Sequence, residues 1–126
     1  MNNFYGFCTP IPTIDGAKLA TMIGTNQTFA VQVFAHWCGH CTEASPLIQQ
    51  ASCALVDIPF FKMDADGDLG PLNVESLPSL ILFKGGVESG RIEGLQEDAA
   101  TYVKLMGLLI AGQPLPPEYT EDDGDE

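Results

Sequence analysis

Positive charge is what this sequence has least of. Its 126 residues include five Lys and Arg against seventeen Asp and Glu, a formal net charge of −12. Eleven acids precede residue 118 and six fall in 118–126, so the last nine residues carry half of the net charge. So acidic a chain repels phosphate backbones, which argues against nucleic acid as a partner. Long hydrophobic runs are missing as well. No stretch reaches the roughly 20 apolar residues that cross a bilayer, so no membrane partner is expected. Residues 1–7 lack a basic n-region and an apolar h-region, and residues 122–126 are not an ER-retention signal. A soluble, intracellular protein is expected.

The cysteines are Cys8, Cys38, Cys41 and Cys53, with a single Cys-x-x-Cys. The second such pair of many zinc sites is absent, and the spacing of Cys8 and Cys53 fits no common zinc pattern. Both are expected as buried thiols rather than ligands, with a Cys8–Cys53 disulfide possible but not inferable from the sequence. A chain of this length, 45% hydrophobic, can build one core without disulfide staples. Asp64, Asp66 and Asp68 alternate along a loop as in a calcium-binding segment, but Pro71 and the absence of a helix after Glu75 speak against one. No metal and no other cofactor is expected.

Thr28–Ala35 is apolar at nearly every position, as a central strand covered on both faces would be. Pro59–Asp64 and Ser79–Lys84 read as further strands. Gly85-Gly86 is a hairpin signal, with Val87–Ile92 as the return strand. Asp15 is a plausible cap for a helix over Gly16–Ile23, and residues 38–53 form a helix interrupted by Pro46, with Leu47, Ile48 and Ala51 inward. A short helix is expected over Leu69–Val74. The last helix is expected over Gln96–Ile110, with Ala100, Val103, Leu105, Leu108 and Leu109 inward. Residues 1–112 form one domain, and residues 113–126 a Pro-rich, acidic, mobile tail. The order predicts an α/β fold: a mixed sheet, with one parallel crossover and one antiparallel hairpin, flanked by helices on both faces.

Trp37-Cys38-Gly39-His40-Cys41 sits at the first strand-to-helix junction. There the unpaired N–H groups and the helix dipole favour a thiolate on the first sulfur. The second sulfur lies one turn further on, within reach to close a disulfide.

This pentapeptide, together with Pro46, Lys62-Met63-Asp64, Leu77-Pro78 before the hairpin, Phe83-Lys84-Gly85-Gly86 and Gly94, resembles the thioredoxin family over residues 12–110. The dipeptide Gly39-His40 is closer to the active domains of protein disulfide isomerases. The resemblance implies the thioredoxin fold and a thiol–disulfide oxidoreductase acting on protein or peptide disulfides and recycled by a reductase or oxidase partner. Cys38 is then the nucleophile and Cys41 the resolving thiol. A protonated His40 stabilises the Cys38 thiolate and makes the disulfide more oxidising. Pro78 is a cis-proline beside the dithiol, and Leu77 offers its backbone to an extended client. Trp37 and Gly39 complete the binding surface.

Two positions depart from the family pattern. Gln32 stands where a buried acid assists proton transfer at the second cysteine, and Leu95 stands where isomerases carry arginine. These departures favour a rival reading, a non-catalytic client-binding module or packaged structural protein with a slow dithiol. The direction of electron flow stays open.

Overall fold

Phe-Ala-Val-Gln-Val-Phe forms strand β1 (Phe29–Phe34), buried through its first five residues. Alternation along it divides the molecule. Phe29, Val31 and Val33 face one side, while Ala30 and Gln32 face the other. β2 (Phe60–Asp64) pairs with it in parallel, matching Gln32 with Lys62. β3 (Ser79–Lys84) pairs with it antiparallel on the other edge. β4 (Val87–Glu93) follows through Gly85 and Gly86, whose φ values of 60° and 83° suit a two-residue hairpin turn. The sheet order is β2-β1-β3-β4 in this computed structural model, which describes residues 9–120.

Two cores form, one on each face. α1 (Gly16–Gly24) packs Leu19 and Met22 against Phe29, Val31, Val33, Met63, Ile81 and Phe83. On the opposite face α2 (Gly39–Ala54) and α3 (Ala99–Ile110) cover Ala30, Leu80, Leu82 and Ile92. The mixed sheet with helices on both faces is as expected. Asp15 caps α1 by accepting from the Lys18 amide at 2.9 Å. Pro46 lies inside α2 on its exposed side, where the missing N–H leaves one carbonyl without its helical donor.

Several local expectations change. Leu69–Val74 is not helical. Gly70 has φ of 60°, Pro71 follows it, and only a turn from the Leu72 amide to the Leu69 carbonyl at 3.1 Å closes. α3 starts three residues later than expected, because Asp98 accepts from the Thr101 amide at 2.8 Å and sets the first turn there. Its buried residues are Tyr102, Leu105, Met106 and Leu109, and Ala100 is exposed. Part of the expected extended tail returns to the domain. Leu115 and Tyr119 pack on the α2–α3 core, and Pro117–Thr120 forms a short helix, α4. The Lys104 ammonium lies 5.9 Å from the Tyr119 ring centre. Apolar side chains in an acidic segment gain by covering this edge of the core.

The segment before α1 adds a minimal strand at the β2 edge. Lys62 donates its amide to Pro12 and accepts from the Ile14 amide, both at 2.9 Å. Cys8 and the acids at 121–126 lie outside the described residues. Cys53 is buried and is disulfide-bonded rather than a free thiol. Among the described residues, no helix is long and apolar enough to cross a membrane.

Candidate active site

β1, an inner strand of the sheet, hands the chain to α2 through four residues, Ala35, His36, Trp37 and Cys38. Cys38 is the N-cap of α2, with extended backbone, and its sulfur accepts the Cys41 amide at 3.2 Å. One helical turn brings Cys41 back over it, with the two Cα atoms 5.3 Å apart, and the pair is joined as a disulfide. The two sulfurs are unequally placed. Cys38 is half-buried, while Cys41 is only 2% exposed. Gly39 and His40 are exposed in the first turn of α2, and a methyl group on Gly39 would meet nothing within 4 Å. That side of Cys38 is therefore open to an approaching chain.

Trp37 is 70% exposed yet held in place. Its indole N–H donates to both carboxylate oxygens of Asp66, at 2.9 and 3.1 Å. Asp66 sits in the loop after β2, where Asp64 accepts the Asp66 amide at 2.9 Å and Asp68 accepts the Gly70 amide at 2.8 Å. The alternating aspartates thus shape the loop through their own backbone. Among the described residues no cluster of three or more His, Cys, Asp or Glu is arranged to hold a metal ion. The functional residue that sequence reasoning missed here is Asp66. Its signal was the same run of alternating acids, weighed there only as a calcium pattern.

The Leu77–Pro78 peptide bond is cis. Pro78 is buried, and its carbonyl accepts the Gly94 amide at 2.8 Å, tying this turn to the end of β4. Leu77 lines a groove of about 400 Å³ with Trp37, Cys38, Ala65, Leu69, Val74 and Glu75. The far wall is pinned by Arg91, which donates to the Asn73 carbonyl at 2.9 Å and forms a paired contact with Glu88 at 2.7 and 2.8 Å. The hydrogen bonds that Arg91 donates to Glu88 raise its pKa above the ordinary value; burial opposes this, and the charges of Glu88, Glu93 and Glu75 add to the rise. A second cavity, about 350 Å³ beside Ile11, Cys53, Val56 and Phe60, contains neither Cys38 nor Cys41. Cys38 opens instead on the groove beside Trp37 and Leu77.

Behind the dithiol, Gln32 is 1% exposed and donates to the Ser45 hydroxyl at 3.0 Å. An amide here is satisfied without a charge partner. Lys62, across from it on β2, points its ammonium toward the Phe34 ring at 5.7 Å. Leu95 joins the apolar core beside α3 rather than the site. The sheet and α2 thus bring Trp37, Cys38, Cys41 and Leu77 together, with Gln32 beneath them, while Leu95 lies apart.

Known proteins are similar to this chain in sequence and fold. The Thioredoxin family profile matches residues 11–106. The thioredoxin of Chlamydia muridarum is 38% identical over 79 residues, which is 60% of this chain and 76% of that protein. Thioredoxin-1 of Saccharomyces cerevisiae is 35% identical over 81 residues, covering 62% and 79% respectively. The solved structure of thioredoxin O2 from Arabidopsis thaliana, in its oxidized state, aligns at a TM-score of 0.62 with 26% identity, over 79% of this chain and 94% of that one.

Proposed function

This chain belongs to the thioredoxin family and is a thiol–disulfide oxidoreductase, and from that premise we propose that Cys38 is its attacking sulfur and Cys41 its resolving one. The observation that carries the assignment is the unequal burial of the two: only Cys38 is exposed enough to meet a client. In the reduced enzyme the Cys38 thiolate attacks one sulfur of a client disulfide. A Cys38–client bond forms, the client's own S–S bond breaks, and one client thiolate leaves. Cys41 then loses its proton and attacks the Cys38 sulfur. The Cys38–client bond breaks, the second client thiolate leaves, and Cys38–Cys41 closes. Two electrons pass from enzyme to client. Run in reverse, the same steps oxidise a dithiol.

The sulfur at the N-cap gains from the Cys41 amide in every thiolate step. A protonated His40, two residues on, adds positive charge beside the thiolate and makes the disulfide more oxidising. The groove between Trp37 and Leu77 receives client side chains next to the cysteine, and the Leu77 backbone aligns the client as an added strand. Sustained turnover also requires a separate reductase or oxidase to reset the pair.

Reduction of insulin by the dithiothreitol-driven protein tests the assignment. Cys38→Ser is expected to abolish it. Pre-reduced Cys41→Ser, freed of dithiothreitol before insulin is added, is expected to accumulate a stable mixed disulfide with the insulin chain. A Cys38→Ser protein that still forms mixed disulfides would reverse the roles of the two sulfurs.

A further inference from the structure

Cys41 must shed its proton before it can attack, and burial makes a thiol harder to ionise. The neighbouring buried polar group, Gln32, is an amide already committed to Ser45 and cannot take up that proton. A cleft of about 290 Å³ reaches the Cys41 side of the dithiol, opposite the client groove, and is lined by Phe34, His36, Cys41, Thr42, Ser45 and Lys62. A water occupies about 30 Å³ in the liquid, and the two hydroxyls offer partners to a short water chain. Two titratable side chains other than Cys41 line this cleft, His36 from the β1–α2 junction and Lys62 from β2. The Lys62 ammonium is a donor only and has no lone pair to offer. His36 has its Nε2 3.5 Å from an Asp64 carboxylate oxygen, and its ring meets the Phe34 ring edge-to-face at 5.3 Å. A carboxylate on Nε2 favours the tautomer with the proton there, which makes Nδ1 the acceptor.

We propose that His36, oriented by Asp64, receives the Cys41 proton through water in this cleft. The Cys41 S–H bond breaks, the proton passes to His36 Nδ1, and the S–H electron pair becomes the nucleophile that displaces the client from Cys38. The imidazolium then returns its proton to solvent, and the Lys62 charge favours the thiolate while it lasts. The inference rests on the assignment of Cys38 as the attacking sulfur.

A two-chain peptide disulfide whose halves carry different fluorophores separates the steps by stopped flow, because attack by Cys38 frees the first half and attack by Cys41 frees the second. With pre-reduced protein at pH 7, His36→Ala and His36→Gln are expected to release the first half within about twofold of the wild-type rate. They are expected to release the second about tenfold or more slowly. The gap should narrow as the pH rises, because hydroxide then takes up the Cys41 proton in place of the imidazole. Asp64→Asn should slow the second release by a smaller factor. Second-half release unchanged in both His36 variants, or equal slowing of both phases, would overturn the proposal. First-half release that survives Cys38→Ser would instead overturn the assignment of the sulfurs, and this inference with it.

Discussion

Gly16 and Gly70 meet backbone against backbone. A methyl group on Gly16 would fall 2.7 Å from the Gly70 Cα and 2.9 Å from the Asp68 carbonyl oxygen. One on Gly70, whose φ is 60°, would fall 2.6 Å from the Gly16 carbonyl oxygen. This contact bolts the loop after β2 to the start of α1, and that loop carries Asp66, Leu69, Val74 and Glu75. Gly16→Ala is expected to destabilise the protein by about 1–3 kcal/mol, as overpacking against backbone does, measured by urea unfolding. It should also raise KM for insulin with kcat nearly unchanged, because the groove wall moves while the sulfurs do not.

Much of the fold was legible from period and punctuation. The apolar run over Thr28–Ala35, the Gly85-Gly86 pair and the Asp15 cap depend on neighbours in sequence, and their elements appear within a residue or two. The expectations that failed depend on contacts from afar. Gly70 leaves helical geometry where it meets Gly16. Residues 96 and 97 stay out of α3 while the Tyr102 hydroxyl and the Asp98 cap hold that turn. Tyr119 returns to a core assembled by α2 and α3. The site divides in the same way. Trp37, Cys38 and Cys41 sit in one pentapeptide and could be read directly. Asp66 and Ser45 reach the site only through folding: the alternating acids mark a loop at Asp66 but not its contact with Trp37, and no local pattern marks Ser45.

The Trp37–Asp66 hydrogen bonds hold the chain's one tryptophan upright at the groove mouth. Asp66→Ala should leave the sulfur chemistry intact while freeing the indole. Insulin reduction is expected to show KM raised about three- to tenfold, corresponding to about 1 kcal/mol of lost positioning, with kcat changed less than twofold. Trp37 fluorescence anisotropy should fall in the same variant. An unchanged anisotropy would show that the ring is held by its apolar contacts instead.

His40 is exposed one residue before Cys41, so the effect proposed for its charge can be tested with little change in packing. His40→Pro should therefore make the pair more reducing. Equilibration with glutathione buffers is expected to show the variant's disulfide favoured by about tenfold, or about 30 mV for a two-electron couple. Equal potentials in the two proteins would remove His40 from the account of the thiolate.

Tyr102 lies 1% exposed beneath the turn that joins β4 to α3. Its hydroxyl donates to the Gly94 carbonyl at 3.2 Å and accepts the Gln96 amide at 3.3 Å. Tyr102→Phe leaves both backbone groups without that partner and is expected to destabilise by about 1–3 kcal/mol at pH 7. Burial pushes the phenol pKa up, and the Gln96 hydrogen bond lowers it to a lesser degree. The folded value therefore stands above the unfolded one, near 10. The folded protein binds the phenolic proton more tightly, so this contribution is complete below about pH 10 and is lost as pH rises through the folded value. Urea unfolding of both proteins at pH 7, 9 and 10.5 should show the gap constant between the first two and narrowed at the third. Ionisation of lysines is common to both proteins and cancels in the difference. A gap that persists undiminished at pH 10.5 would mean that the phenol ionises no less readily when folded, and that the hydroxyl is reached by solvent.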